Sequence, residues 1–131
     1  MWQIATKIMK KTTTKDFETF KTYCLKWQRE LGLMNWNLYF EWKKNDEQYA
    51  GCNYSVPDGV ATIALSKQWD DFRKVNKSEL NRCALHEVLH ILFAEFSSIA
   101  EERFTTLKAV DNVEHGIIHR LENALLGTGD A

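Results

Sequence analysis

The sequence predicts an α+β fold: an N-terminal helix, a three-stranded and mostly antiparallel sheet, a helix bearing two histidines, and a closing amphipathic helix. Apolar residues recur at three- and four-residue intervals in residues 14–31, 80–96 and 104–126, the spacing that builds one face of an α-helix. Between the first two stretches they alternate singly, as on a half-buried strand, and Gly, Pro, Asn and Asp mark the changes of period. At 131 residues, 44% of them hydrophobic, the chain is long enough for one domain with a real core.

Phe17, Phe20, Cys24, Trp27 and Leu31 form the stripe of the first helix, residues 14–31, with Thr13 or Thr14 as cap and Gly32 as stop. Residues 35–43 read as a strand, with Trp36, Leu38, Phe40 and Trp42 alternating against Asn37, Tyr39 and Glu41. After the polar turn Lys44-Asn45-Asp46-Glu47, residues 48–56 form a second strand in which Gly51 marks a bulge or a close approach. Pro57-Asp58-Gly59 then turns the chain, Pro fixing φ and Gly supplying a positive one, into a third strand at residues 60–66. Residues 67–77 are loop or short helix, with Trp69 and Phe72 folded back on the core. Residues 97–103 are a polar connection to the last helix, residues 104–126, which ends at Gly127. Residues 1–13 and 127–131 are peripheral to this single domain, and the tail 128–131 is expected to fray. No repeat, linker or low-complexity tract divides the chain.

A net charge of −1 offers no basic field for nucleic acid, and Lys7, Lys10, Lys11 and Lys15 read as a solvated leader to the first helix. No apolar run approaches the roughly 18 residues of a membrane span, so no membrane partner is expected. The opening Met1-Trp2-Gln3-Ile4-Ala5-Thr6-Lys7 lacks the apolar core of a signal peptide. Cys24, Cys52 and Cys83, odd in number and widely spaced, fit reduced thiols in a cytoplasmic protein rather than a disulfide framework.

One motif names a chemistry. His86-Glu87-Val88-Leu89-His90 is an HExxH sequence in a stretch with no Gly or Pro from Leu80 to Phe96, preceded by the capping run Asn76-Lys77-Ser78-Glu79. Residues four apart stack on one helix face, so His86 and His90 can bring two imidazoles to one metal ion. Glu87 lies roughly 100° round the helix from His86, placed to address a water rather than the ion, as a general base does in zinc-dependent hydrolysis. The helix is apolar nearly all round, which predicts burial, and two His with a Glu in a core need partners or a metal.

Catalytic zinc sites usually take three protein ligands and keep one position open. A metzincin would need Gly and His where Phe93 and Phe96 stand, which excludes that class. Glu114, His115 and His119 on the last helix are the candidates. Glu114 falls within the stripe of Val110, Val113, Ile117, Ile118, Leu121, Ala124 and Leu125, where a carboxylate needs a partner; His115 lies at its edge and His119 on the polar side. Glu114 is therefore the expected third ligand, the alternative being an ion pair with an arginine such as Arg82 or Arg103.

An HExxH helix followed by a helix reading Glu114-His115-Gly116-Ile117-Ile118-His119-Arg120-Leu121-Glu122-Asn123-Ala124-Leu125 resembles the small zincin-type metallopeptidases of phages and prophages. More broadly it is similar to minimal gluzincins, which share the HExxH-plus-Glu ligand set with thermolysin. The resemblance spans roughly residues 14 to 126, with its specific residues on the two helices. It implies a zincin-like core, Zn2+ held by His86, His90 and Glu114, Glu87 as base, a peptide or protein substrate, and the host cytoplasm as compartment. It also implies that residues 60–66, the last strand before the motif helix, border the cleft and pair with an extended peptide.

The expected function is thus a zinc metallopeptidase, with Tyr49, Tyr54, His115 or His119 as candidates for an oxyanion or supporting contact. The alternatives are a weak or inactive zincin-scaffold binding protein with a structural zinc, which an intact Glu87 argues against, and a nuclease, which the charge argues against.

Overall fold

The computed structural model describes residues 9–70, 72–102 and 104–127. Met1 to Lys7 and the tail 128–131 lie outside the described residues. The first described element, β1 (Lys10–Lys11), pairs antiparallel with a later two-residue strand, Gln68–Trp69. Thr12 behind it is buried: its hydroxyl donates to the Ser66 carbonyl at 2.8 Å and accepts from Trp42 Nε1 at 2.9 Å. Residues 10–12 are therefore docked on the domain rather than a solvated, peripheral leader. Backbone pairing with residues 67–69 and the buried Thr12 hydroxyl, which periodicity does not report, hold them there.

Helix α1 (Thr14–Glu30) begins with a reciprocal cap. The Thr13 hydroxyl accepts from the Asp16 N–H, and the Asp16 carboxylate accepts from the Thr13 N–H, which satisfies two otherwise orphaned donors. At its other end Gly32 adopts φ 68°, a left-handed turn that a residue without Cβ makes at little cost. The helix buries Phe20, Cys24 and Gln28, and the Gln28 amide donates to the Leu33 and Trp36 carbonyls.

Three strands follow: β2 (Asn37–Lys43), β3 (Ala50–Ser55) and β4 (Val60–Ser66). Their order in the sheet is β2-β4-β3, with β4 parallel to β2 and antiparallel to β3. The sheet is thus mixed, not mostly antiparallel, and the third strand lies in the middle rather than at the edge. Burial explains the order. Ala61, Ile63, Leu65 and Ser66 of β4 are buried, whereas β2 and β3 are at most half-buried, and the central position pairs both edges of the most apolar strand. Gly59, at φ 64°, closes the preceding turn with its N–H on the Val56 carbonyl. Gly51 sits in unbroken register opposite Ala64; there is no bulge but a close approach, since a Cβ there would lie 2.9 Å from Gln48 Oε1. Beyond β4, β5 (Gln68–Trp69) buries Trp69, while Phe72 projects into solvent at 86% exposure and does not fold back on the core.

Ile63 is fully buried at the middle of the central strand. Ile63→Ala is expected to cost about 2–5 kcal/mol, transfer loss plus the cavity left behind, measurable as a lowered denaturant midpoint with an unchanged slope.

Helix α2 (Lys77–Leu92) is capped by Asn76, whose side chain accepts from the Glu79 N–H at 2.9 Å. It stops at Phe93, and the chain bends by 45° into α3 (Ala94–Glu101). No Gly or Pro causes this break. The bend places Ala94 fully inside the core, a tertiary reason that the run from Leu80 to Phe96 does not announce. α4 (Leu107–Leu126) is capped by Thr106 and ends at Gly127, φ 80°. No single helix among the described residues is long and apolar enough to cross a membrane.

Candidate metal centre

α2 presents one side to the core and the other to an open cleft. Leu80, Cys83, Ala84, Glu87, Val88, Ile91 and Leu92 are buried, and Trp27 of α1 ties the helix down by donating from Nε1 to Asn81 Oδ1 at 2.7 Å. His86 and His90 are exposed. The helix is therefore not buried all round, and only Glu87 bears the desolvation cost expected of the whole motif.

The motif still converges. The His86 and His90 rings lie 4.9 Å apart between centroids at 79° to each other. One ligand atom from each of His86, Glu87 and His90 lies within 4.8 Å of the other two. Glu87 is only 6% exposed; burial pushes its carboxyl above the usual range, while the nearby His86 and His90 pull the other way. Two imidazoles facing a cleft above a buried carboxylate suit a divalent cation, which would relieve the cost of ionising that carboxylate.

The cleft, about 680 Å³, runs between α2 and β3, with Cys52, Asn53 and Tyr54 on the strand facing Cys83, His86 and His90 on the helix. The expected border strand, β4 (Val60–Ser66), does line the cleft through Thr62, Ala64, Leu65 and Ser66, but it is enclosed between two neighbours and offers no edge for an extended peptide. Among the described residues β3 pairs only with β4, so its other edge is free.

The expected supporting residues divide. Tyr54 lines the cleft and packs edge-on against Trp36 at 6.4 Å. Tyr49 also lines it, but its hydroxyl donates to Asp70 Oδ1, and that hydrogen bond, with burial, raises its pKa. His115 and His119 lie on the exposed side of α4 and are not among the residues lining the cleft. His115 Nδ1 is 2.8 Å from the Asp111 carbonyl of its own helix, and His119 is 3.5 Å from Glu122.

Glu114 is not brought to the histidines. It is exposed, lies outside the His86–Glu87–His90 group, and does not line the cleft. The expected helical phase was displaced. α4 buries Ile117 and packs Val113, Leu121 and Ala124 against the core, leaving Ile118 at 40% and Leu125 at 80% exposure. Counting those two as core rotates the inferred stripe towards Glu114, which lies roughly 90° from the centre of the face that is used. Among the described residues Arg82 forms no ion pair, and Arg103 lies outside the described residues.

Two residues that periodicity did not flag also line the cleft: Arg73, on the loop before α2, and Arg82, one turn before His86. The i, i+4 spacing of Arg82 and His86 was the available signal. Glu87 lies close enough to all three thiols for its charge to act on them. Burial raises Cys24 and Cys83 and pushes Cys52 up to about 12, so they sit as neutral packing groups, Cys24 in the core and Cys52 and Cys83 on the cleft walls.

No protein-family profile matches this chain, and no curated protein or solved structure matches it. Its chemistry is read from the geometry of the site.

Proposed function

We propose that the protein is a zinc-dependent metallopeptidase acting on extended peptides. The observation that carries the reading is the grouping of His86, Glu87 and His90 within 4.8 Å on the wall of a cleft otherwise lined by the sheet, whose edge strand β3 is unpaired on one side among the described residues. His86 and His90 would hold the ion, which when bound supplies a Lewis acid for the scissile carbonyl and an acidified water. Glu87 accepts a proton from the attacking water and delivers it to the leaving amine. The free edge of β3 orients the substrate by strand addition, with backbone hydrogen bonds giving hold and alternate side chains giving choice. Tyr54 is the better placed of the two tyrosines to meet a developing oxyanion, since the Tyr49 hydroxyl is already engaged with Asp70.

The test is metal analysis of protein purified without chelator, beside cleavage of a peptide library and of nucleic acid. One zinc per chain with peptide cleavage supports the reading; metal-free protein whose melting zinc does not move sinks it.

The exposed position of Glu114 favours a second reading, a zincin-type scaffold that binds zinc weakly and does not turn over, because two imidazoles fall short of the usual three protein ligands. The expected outcome from this structure is that Glu114→Ala and His119→Ala both keep wild-type zinc affinity. A loss of orders of magnitude in Glu114→Ala alone, seen by zinc titration, would mean that α4 docks differently on α2 when metal is bound and that Glu114 is the third ligand.

A further inference from the structure

We propose that the cleft carries a carboxylate-binding subsite formed by Arg82 and Arg73 beside His86, so that the preferred peptide presents an acidic side chain or its own C-terminal carboxylate there. The proposal rests on the peptide reading above and names the class of peptide.

Arg73 is held in place before any ligand arrives. Its guanidinium lies 4.5 Å over the Tyr49 ring, its Nε is 3.4 Å from Glu79 Oε2, and its Nη1 donates to Cys83 Sγ at 3.4 Å. Tyr49 is itself fixed through Asp70. A planar guanidinium positioned on three sides has lost most of the freedom that binding would otherwise cost. Arg82 is the opposite case. It is exposed on the cleft wall, and among the described residues it makes no hydrogen bond or ion pair.

The charges of the cleft leave Arg82 unbalanced. Glu41 and Lys43 pair with each other at 3.1 Å, Glu79 offsets Arg73, and Glu87 is buried below the histidines. A divalent ion on His86 and His90 would add to the positive field. Guanidinium groups bind carboxylates through a matching fork of donors, which gives geometry as well as charge. Arg82 and His86 are one helical turn apart, about 5–6 Å between Cβ atoms. An extended chain covers that distance in about two residues, so the recognised carboxylate falls one or two residues from the bond at the histidines.

The experiment measures binding of fluorescent peptides to zinc-loaded Glu87→Gln protein, so that hydrolysis is not needed for a readout. Peptides differing only by Glu or Gln at each position, each with a free or an amidated C-terminus, separate the two sources of carboxylate. The expected result is about ten- to hundredfold tighter binding of one carboxylate series, the size of a lost hydrogen bond to a charged group. Arg82→Ala abolishes that preference and Arg82→Glu turns it towards Lys-containing peptides. Arg82 has no partner to lose, so these variants keep the fold, which circular dichroism checks. Equal binding of Glu, Gln, free and amidated peptides overturns the subsite while leaving the peptide reading standing. So does a preference that survives both Arg82 variants. No binding of any peptide overturns both.

Discussion

Replacing Glu87 with Gln is expected to leave the fold and bound zinc intact and to lower peptide hydrolysis by about 10²- to 10⁴-fold, the usual contribution of a positioned general base. The amide is nearly the same size and cannot accept the proton. The structure sharpens this test, because a Glu87 carboxylate oxygen lies within 4.8 Å of a ring nitrogen of each histidine. Metal content therefore has to be measured beside the rate. Lost activity with zinc retained identifies a base; lost zinc identifies Glu87 as a ligand; wild-type activity sinks the mechanism. Glu87→Gln also removes a buried ionisable group that burial already disfavours in its charged form. Above the ordinary carboxylate range, where a raised pKa makes ionisation cost stability in the fold, the metal-free variant is expected to be no less stable than wild type.

The second large effect is on the metal itself. His86→Ala or His90→Ala removes one of only two imidazoles in the group, and zinc affinity is expected to fall by more than the roughly 10- to 100-fold cost of losing a supporting contact. Zinc at a hundred times its Kd should stabilise the wild type by about 2.7 kcal/mol, several degrees in melting temperature for a domain of this size. Neither variant should show that rise. Both side chains are exposed, so their loss should not weaken the metal-free fold. A variant that still melts higher with zinc would place the ion elsewhere.

Local patterns explain what could be read without coordinates. The caps at Thr13 and Asn76, the glycine stops at Gly32 and Gly127, and the Pro57-Asp58-Gly59 turn each depend on residues within a few positions of one another. The HExxH spacing is local too, since four residues of α-helix bring His86 and His90 together whatever surrounds them. The phase of α4 was less legible, because a wheel weighs every apolar residue alike and Ile118 and Leu125 are apolar without being packed. Arg73 belongs to no period and Arg82 only to that of His86 one turn on; what separates them is that one is held by Tyr49, Glu79 and Cys83 and the other, among the described residues, by no hydrogen bond or ion pair.

By itself the sequence determined α1, the three main strands, the motif helix and α4, together with the helical HExxH pair and the placement of Glu87 beside rather than above the histidines, because backbone geometry over a few residues is enough to set them; β1, β5 and α3 it did not announce. Only the tertiary structure decided that β4 takes the centre of the sheet and leaves β3 as the edge beside the cleft, that the chain bends at Phe93 to bury Ala94, and that Glu114 faces solvent. Those outcomes depend on which surfaces bury best against one another across the whole chain. Strand order and helix rotation are settled by that competition, not by any local signal.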